Sequence, residues 1–398
     1  MIPDLRRRFN HQFTPERYSS FLSALDTRCG TRVKFRVAET PCFFPRALLE
    51  QMAQDGRELV HQLLSSSDYR KQSDKTIPSE YNVPNQSGKP MFLQVDFGLA
   101  REHSGHIVPK LVELQAFPSL YAYQPALTEQ YCQSYDFDSG TRTFLSGLNA
   151  QSYRHLLCQV IVGEHTAENV ILMEIDPLEQ KTLPDFLLTS ELCGIETVNA
   201  RDLKKEGKRL YYERQGRRVQ VERIYNRMIV DELMRKNVTL PFDLRDELDV
   251  EWAGHPNWYF RISKFSIPFL RHKCVPRTWF LDELDALPAD RNNYLLKPLY
   301  SFAGMGIKFG PTDEDIAGIP RDRRHEYILQ ERIAFEPVIT TPHGPTQAEI
   351  RIMYIWLDSD SQPTPVLTLV RMGRGKMMGV DHNRNLEWVG GSAGLWVD

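Results

Sequence analysis

Apolar residues recur at helical spacing in one long stretch near the start of the chain. The pattern over residues 45–64 predicts an amphipathic helix whose apolar face is formed by Leu48, Leu49, Met52, Leu59 and Leu63. The polar segment SSSDYRKQSDK follows and predicts a loop. Residues 91–97 and 109–114 have the composition of strands, and residues 101–105 between them predict a hairpin connection.

The middle of the chain alternates between strand and helix patterns. A continuous apolar run at residues 169–175 is typical of a strand that is buried on both faces. Residues 185–192 have helical spacing and are followed by Gly194, a common helix C-cap residue. Strand sequence resumes at residues 197–199, so this part predicts an α/β unit. Residues 210–221 predict a further hairpin.

Short strand patterns dominate the last part of the chain. Ser263 can cap a helix over residues 264–272. Strands are predicted at residues 294–297, 307–309, 327–329 and 350–356. We therefore divide the chain into three regions, 1–150, 151–251 and 252–398, within an α/β (α+β) fold.

Composition limits the classes of protein to consider. The chain has 398 residues, of which 41% are hydrophobic and 25% charged, as in ordinary soluble proteins with two or three domains. The net charge of -3 gives no global basic field, so we expect no nucleic-acid partner. The N-terminal MIPDLRRRFNHQF lacks the apolar stretch of a signal peptide, and the apolar runs are too short to span a bilayer. We expect a cytoplasmic protein without a membrane partner; the sequence does not reveal its oligomeric state.

The cysteines are isolated from one another along the chain. No CxxC pair occurs, and no His/Cys spacing matches a zinc site. The isolated spacing predicts reduced core thiols in a cytosolic protein. The six positions are Cys29, Cys42, Cys132, Cys158, Cys193 and Cys274.

The segment YLLKPLYSFAGMGIKF, residues 294–309, is the first candidate for chemistry. Lys297 ends a predicted strand, and a loop of small residues then leads into a second strand. Glycine lets backbone N–H groups approach phosphate closely, and lysine supplies a point charge. Since the loop leads into a strand and not a helix, it predicts a flap over phosphate. The flap residues are Ala303, Gly304, Met305 and Gly306.

The flanking segments SKFSIPFLRHKCVPRTWFLDEL and EYILQERIAFEP extend this candidate site. With the flap, and in this order, they resemble the nucleotide-binding half of ATP-grasp proteins. The resemblance implies ATP as cofactor, with Lys297 as the phosphate-contacting lysine and Lys264 as the nucleotide-site lysine that starts a helix. It also implies that Gln330 and Glu331 line the adenine and that Glu336 binds the ribose. Whether Lys264 or Lys273 enters the site is open.

A second candidate lies far upstream, in FLQVDFGLAREHSGHIVPKLVELQAFPS. Asp96 is on one predicted strand, and Glu113 and Gln115 share a face of the next by alternation. Carboxylate and amide oxygens are ligands that Mg²⁺ prefers. This segment resembles the magnesium motif of glutathionylspermidine synthetase-like proteins, whose metal-binding half precedes the lysine half. The resemblance implies a permuted ATP-grasp fold, with residues 1–150 holding Mg²⁺ and residues 252–398 holding the nucleotide. It also implies that residues 151–251 form a Rossmann-like pre-ATP-grasp domain.

The segment departs from that motif at two positions. Gln115 stands where asparagine is common, and Gln94 stands where an arginine usually precedes the acidic residue. An arginine from elsewhere is then needed to neutralise a transferred phosphoryl group. Candidates for this catalytic role are Arg371, Arg351 and Arg36. Glu349, Asp381, Asn383 and Asn385 are imperfect alternatives as metal ligands.

These features predict an ATP- and Mg²⁺-dependent ligase. In such an enzyme a small-molecule or peptide carboxylate takes the γ-phosphate, and an amine attacks the acyl phosphate. Gln94 and Gln115 favour an alternative, a protein of this fold that binds nucleotide or a peptide-like ligand without turnover. A third reading is phosphoryl transfer to an alcohol. The sequence does not identify the carboxylate or the amine.

Overall fold

A computed structural model describes residues 1–137, 141–300, 304–378, 383 and 385–397. The strands, numbered in chain order, are β1 (Cys42–Pro45), β2 (Phe92–Arg101), β3 (Ile107–Gln115), β4 (Val170–Glu174), β5 (Glu196–Asn199), β6 (Lys204–Glu206), β7 (Arg209–Arg214), β8 (Arg217–Val221), β9 (Arg223–Asn226), β10 (Glu251–Ala253), β11 (Thr278–Phe280), β12 (Tyr294–Pro298), β13 (Lys308–Phe309), β14 (Tyr327–Glu331), β15 (Ile339–Thr341), β16 (Gly344–Ile355), β17 (Thr364–Gly373) and β18 (Gly390–Val397). The α-helices are α1 (Pro3–Gln12), α2 (Pro15–Cys29), α3 (Arg46–Ser65), α4 (Ser67–Asp74), α5 (Tyr123–Tyr135), α6 (Ala150–Val162), α7 (Leu183–Cys193), α8 (Val230–Lys236), α9 (Trp258–Arg261) and α10 (Asp313–Ala317).

The central sheet joins the beginning and the end of the chain. Its strand order is β1-β18-β17-β16-β2-β3, and β15 also pairs with β16. All of these pairs are antiparallel except β1 with β18. The amphipathic helix α3, confirmed as predicted, buries Leu49, Met52 and Leu59 in the same core as Ile352 of β16. The sheet therefore places residues near 100 directly beside residues near 350.

The middle region forms a parallel sheet of its own. Its order is β10-β9-β4-β5, with every neighbouring pair parallel. All five residues of β4 are buried, which is typical of a parallel strand covered on both faces. The predicted α7 is confirmed, and Gly194 caps it with φ 73°. The predicted hairpin at residues 210–221 is β7–β8.

A third sheet carries the predicted phosphate flap. Its order is β11-β14-β12-β13, and all its pairs are antiparallel. Strand β12 lies between β13 and β14. The flap hairpin β12–β13 is therefore hydrogen-bonded directly to β14, the strand that carries Gln330 and Glu331. The 3-10 helix Lys264–Phe269 packs against β3, β11 and β14. This helix and the sheet bring both candidate lysines to the same side of the molecule.

Two local predictions were wrong. The polar segment after α3 is not a loop but contains helix α4, because Ser66 caps it by accepting the N–H of Tyr69 and Tyr69 is buried. The predicted α-helix over residues 264–272 is a shorter 3-10 helix, Lys264–Phe269. Pro268 lies inside it and supplies no N–H to continue a helix.

The cysteine prediction was also wrong for one pair. Cys158 of α6 and Cys193 of α7 form a disulfide, with their Cα atoms 5.2 Å apart. Their spacing along the chain gave no sign of this pairing, because it depends on how the two helices pack. Disulfides persist mainly in oxidising compartments, so the argument from reduced thiols to a cytoplasmic location no longer holds. Within the described ranges, no helix combines the length and apolarity needed to cross a membrane.

Candidate functional site

A row of charged and polar side chains crosses four neighbouring strands of the central sheet. Asp96 is paired with Glu113 on β3 and with Arg351 on β16, and Glu349 is paired with Arg371 on β17. Cross-strand partners in an antiparallel sheet point to the same face. We call this group the arginine wall; its members are Gln94, Asp96, Glu113, Gln115, Glu349, Arg351 and Arg371.

Asp96 is buried and is held by two arginines. Arg351 donates from Nε to Oδ1 at 2.6 Å and from Nη2 to Oδ2 at 2.7 Å. Arg371 donates from Nη1 to Oδ2 at 2.9 Å. Burial acts to raise the pKa of Asp96, but the charges of Arg351 and Arg371 outweigh it and hold the pKa at about 2. Asp96 is therefore a carboxylate at any ordinary pH.

Two glutamines complete the surroundings of Arg351. Its Nη1 donates to Oε1 of Gln94 at 2.6 Å, and Gln94 in turn donates to the carbonyl of Ser119 at 2.9 Å. With its amide oxygen turned toward Arg351, Gln115 accepts from Nη2 at 2.5 Å and from Nη1 at 3.2 Å. Arg351 thus contacts Gln94, the position at which the magnesium motif usually has its own arginine.

The two glutamates of the arginine wall differ in their bonding. Glu349 accepts a hydrogen bond from Nη1 of Arg371 and is buried. Burial raises the pKa of Glu349, although the charge of Arg371 opposes the shift. Glu113 is half-buried and has no hydrogen bond or ion pair with any residue that the structure describes. Glu113 is therefore the carboxylate of this group that is available to a ligand.

A second group, which we call the lysine wall, consists of Lys264, Lys297 and Gln330. Lys297 is 5% exposed, and its Nζ donates to Oε1 of Gln330 at 2.5 Å. The buried Nε2 of Gln330 has no partner among the described atoms. Burial lowers the pKa of Lys297 to about 8 and also lowers the pKa of Lys264. Lys273 is exposed, so the lysine buried beside Lys297 is Lys264.

The two walls lie within electrostatic range of each other. Glu113 acts to raise the pKa of both Lys264 and Lys297, and Glu349 acts in the same direction on Lys297. The structure thus brings residues that the sequence places near positions 100, 300 and 350 within electrostatic range of one another, and we call the region between the two walls the cleft. Four cationic side chains meet three carboxylates there, a balance that favours an anionic ligand.

The predicted magnesium ligands do not fit the observed contacts. Mg²⁺ needs oxygen ligands at about 2.1 Å. Both oxygens of Asp96 and the amide oxygen of Gln115 are already bound by guanidinium N–H groups. A cation at these atoms would have to displace Arg351, which is itself buried. Of the predicted set, Glu113 alone has its carboxylate open.

The flap has the backbone expected of a tight glycine turn. Gly304 and Gly306 have φ of 77° and 75°, values that favour glycine. A Cβ on Gly306 would also lie 3.1 Å from Cγ of Pro298. Met305 between them is 48% exposed. Ala303 lies outside the described residues.

The remaining predicted residues are engaged elsewhere. Glu331 pairs with Arg277 at 3.3 Å, and Glu336 pairs with Arg101 at 2.7 Å, both at the surface. These two carboxylates have partners other than a nucleotide, and their adenine and ribose roles stay predictions.

Arg36 is similarly occupied. It donates to Tyr18 at 2.8 Å and forms an ion pair with Glu39. No described contact joins Arg36 to the arginine wall. Its catalytic role therefore stays a prediction without a structural argument.

Sequence reasoning gave Glu349 less weight than its position warrants. It lies two residues before Arg351 on the same strand face and bonds Arg371 across the sheet. The alternation Glu349-x-Arg351 was the available signal. Of the other alternative ligands that the structure describes, Asn383 is buried and donates to the carbonyl of Met377 at 2.9 Å, and Asn385 is exposed. Asp381 lies outside the described residues.

Comparison with known proteins gives a structural likeness. No family model matches the chain. No curated protein matches it in sequence. Among solved structures, it is similar to the apo form of a glutathione synthetase-like effector, GSS30, from Globodera pallida, with a TM-score of 0.58 and 14% identity. The match covers 90% of this chain and 94% of that one. At this identity the likeness concerns the fold, and the chain has an α+β fold of the ATP-grasp-like, glutathione synthetase-like kind.

Proposed function

We propose that this chain binds ATP in the cleft between the arginine wall and the lysine wall and uses it to join a carboxylate to an amine. The observation that carries the proposal is the position of Lys297. It is a buried lysine whose only bond to a described side chain is to a neutral amide, and the carboxylates of Glu113 and Glu349 lie within electrostatic range of it. A buried charge without a counter-charge in bonding contact is stabilised by an anionic ligand.

The two walls suit different parts of the reaction. Lys297 and Lys264 suit the phosphates of ATP, because ammonium groups bind phosphate oxygens as point charges. Arg371 suits the transferred phosphoryl group: its side chain is 21% exposed, and only Nη1 is bonded to described acceptors. Its Nε and Nη2 donors are thus available to a phosphoryl or carboxylate oxygen.

The proposed reaction has two steps. A substrate carboxylate oxygen attacks the γ-phosphorus, and the bond from that phosphorus to the β–γ bridging oxygen breaks, which releases ADP. An amine nitrogen then attacks the acyl carbon, phosphate leaves with the bonding electrons, and the nitrogen loses a proton. Both steps depend on positioning and on charge neutralisation by Lys297 and Arg371 more than on acid–base groups.

The substrates are proposed to be small molecules or peptides. The structural neighbour is named for glutathione synthetase, and the magnesium-motif resemblance is to glutathionylspermidine synthetase-like proteins. Both names refer to amide-bond formation on a peptide-like substrate. We therefore propose that the carboxylate and the amine belong to this class.

The test is ADP release by the full chain with ATP, across panels of peptide carboxylates and amines. We expect release only when a carboxylate is present, and we expect hydroxylamine to trap the acyl phosphate. ADP release without a trapped hydroxamate would instead support phosphoryl transfer to an alcohol. Absence of ADP release with every substrate would overturn the ligase.

A second candidate is a protein that binds nucleotide without turning it over. The contact of Arg351 with Asp96 favours it, because this contact occupies the oxygens that a catalytic metal would use. Thermal stabilisation by ATP without ADP release, with the same panels, would support this candidate. Where ADP release occurs, unchanged turnover in both the Asp96→Asn and the Glu113→Gln variants would rule out a catalytic metal at these residues.

A further inference from the structure

One guanidinium occupies the oxygen atoms that would otherwise bind a cation. Arg351 donates from Nε and Nη2 to the two oxygens of Asp96, and from Nη1 to Gln94. Gln115 accepts the remaining N–H groups of Nη1 and Nη2. A guanidinium has five N–H donors, so every donor of Arg351 has an acceptor in this group.

A second guanidinium extends the positive charge toward the cleft. Nη1 of Arg371 lies between Asp96, at 2.9 Å, and Glu349. Its side chain is 21% exposed, whereas that of Arg351 is 5% exposed. Arg351 is therefore enclosed, and Arg371 is the member of the pair that a ligand can reach.

This arrangement is difficult to reconcile with a divalent cation at the same place. Asp96 is 1% exposed and already accepts three hydrogen bonds from arginine. A carboxylate has about four lone-pair positions, which leaves little room for a further strong ligand bond. A cation would also be repelled by two guanidinium groups in a buried environment.

We propose that Arg351 and Arg371 permanently replace a divalent cation in this cleft, so that it binds the polyphosphate of a nucleotide without divalent metal. Two guanidinium groups carry the charge of one divalent ion, and guanidinium binds phosphate in a bidentate manner. Arg371 contacts the ligand; Arg351 is a positioning residue that acts through Asp96. The inference rests on the nucleotide binding proposed above, which both candidate functions share.

The experiment is calorimetric titration of the full chain with ATP, once in EDTA and once in excess MgCl₂. We expect the two Kd values to agree within about threefold. Binding only with Mg²⁺ would overturn the replacement of the cation but leave the proposed function standing. Absence of binding in both buffers would overturn nucleotide binding and the inference with it.

Two variants separate the ligand-contacting role of Arg371 from the positioning role of Arg351. Arg371→Gln should weaken ATP binding in EDTA at least about tenfold, because it removes the reachable charge. The control is Arg374→Gln: Arg374 is close in sequence but donates to Thr346 and to the carbonyl of Glu387, so the affinity should not change. Equal affinities of wild type and Arg371→Gln in EDTA would contradict the role of Arg371.

Arg351→Gln frees Oδ1 of Asp96 and the amide oxygen of Gln115, while Oδ2 of Asp96 keeps its bond from Arg371. We expect the ratio of the affinities measured with Mg²⁺ and with EDTA to rise at least about tenfold, since a cation can then enter. A purely structural loss would lower both affinities equally and leave the ratio unchanged, which would contradict the positioning role. If this variant does not fold, Arg351→Lys is measured instead. It keeps the positive charge beside Asp96, so the ratio should stay near the wild-type value, and a tenfold rise would contradict the replacement of the cation by this charge.

Discussion

The arginine wall and the lysine wall both bury positive charge, but they compensate it differently. In the arginine wall, Arg351 and Arg371 form ion pairs with Asp96 and Glu349 at hydrogen-bonding distance. In the lysine wall, Lys297 has a neutral amide as its bonded partner, and its pKa is lowered to about 8. The arginine wall is compensated internally, whereas Lys297 has no bonded counter-charge among the described residues.

This difference assigns distinct tasks to the two sides of the cleft. A charge that is fully paired within the protein fixes geometry but gains little from a ligand. A buried charge that lacks a bonded counter-charge destabilises the free protein and is relieved when an anion binds. Stability should therefore depend mainly on the arginine wall, and affinity for phosphate mainly on the lysine wall and on Arg371.

The largest expected effect is on stability, from Arg351→Met. Removing this partner leaves the buried Asp96 with Arg371 alone, so the free energy of unfolding should fall by about 3–5 kcal/mol. Urea denaturation at neutral pH measures it. The double variant Asp96→Asn/Arg351→Met removes the charge as well and should recover much of the loss. A single variant as stable as wild type would show that the wall is not compensated as described.

The next effect is on ligand affinity, from Lys297→Met. Loss of a charge-assisted hydrogen bond of about 1.5–3 kcal/mol should weaken ATP binding at least tenfold, with little loss of stability. Calorimetric titration measures the affinity. The matched control is Lys308→Met, since Lys308 lies on the neighbouring strand but is exposed and paired with Asp315. A similar weakening in both variants would mean that position in the cleft does not matter.

The pH dependence of stability sharpens the comparison. The pKa of Lys297 is about 8 in the folded protein, against an ordinary value of 10.5. Between these values the unfolded chain binds more protons, so this lysine's contribution to stability rises with pH through that window. Below about pH 8, Lys297 is charged in both states, and its buried charge lowers the free energy of unfolding by its full amount. The stability of Lys297→Met relative to wild type should therefore be highest near pH 7 and fall toward pH 10.5.

Denaturation curves at several pH values measure this relative stability. The Lys308→Met variant is again the control, and its difference from wild type should stay flat across the window. A flat difference for Lys297→Met as well would contradict the lowered pKa of Lys297 and, with it, the view that Lys297 lacks a bonded counter-charge.

The smallest effect is expected outside both walls, from Glu336→Gln. Glu336 pairs with Arg101 at the surface, so its replacement should leave the denaturation midpoint unchanged. We also expect the Kd for ATP to stay within about twofold of wild type. The measurements are urea denaturation and calorimetric titration. A large loss of affinity would restore the ribose-binding role that the sequence resemblance implied.

The elements of the fold were largely predictable where the sequence pattern is long and regular. Helix α3, strand β4 and the β2–β3 hairpin follow from apolar spacing, and the structure confirms them. Helix α4 was missed because its only buried apolar side chain is that of Tyr69, in an otherwise polar segment. The disulfide between Cys158 and Cys193 was missed because it depends on helix packing that no local pattern encodes.

For the cleft, the sequence by itself determined which residue types carry charge and on which strands they lie. Alternation placed Glu113 with Gln115 and Glu349 with Arg351, because side chains two apart share a strand face. Only the tertiary structure decided their partners. Asp96 and Arg351 are neighbours through the pairing of β2 with β16, a contact between distant parts of the chain. The sequence therefore predicted a cation at Asp96, and the pairing of the strands placed an arginine there, because sheet register and not sequence distance sets which charges meet.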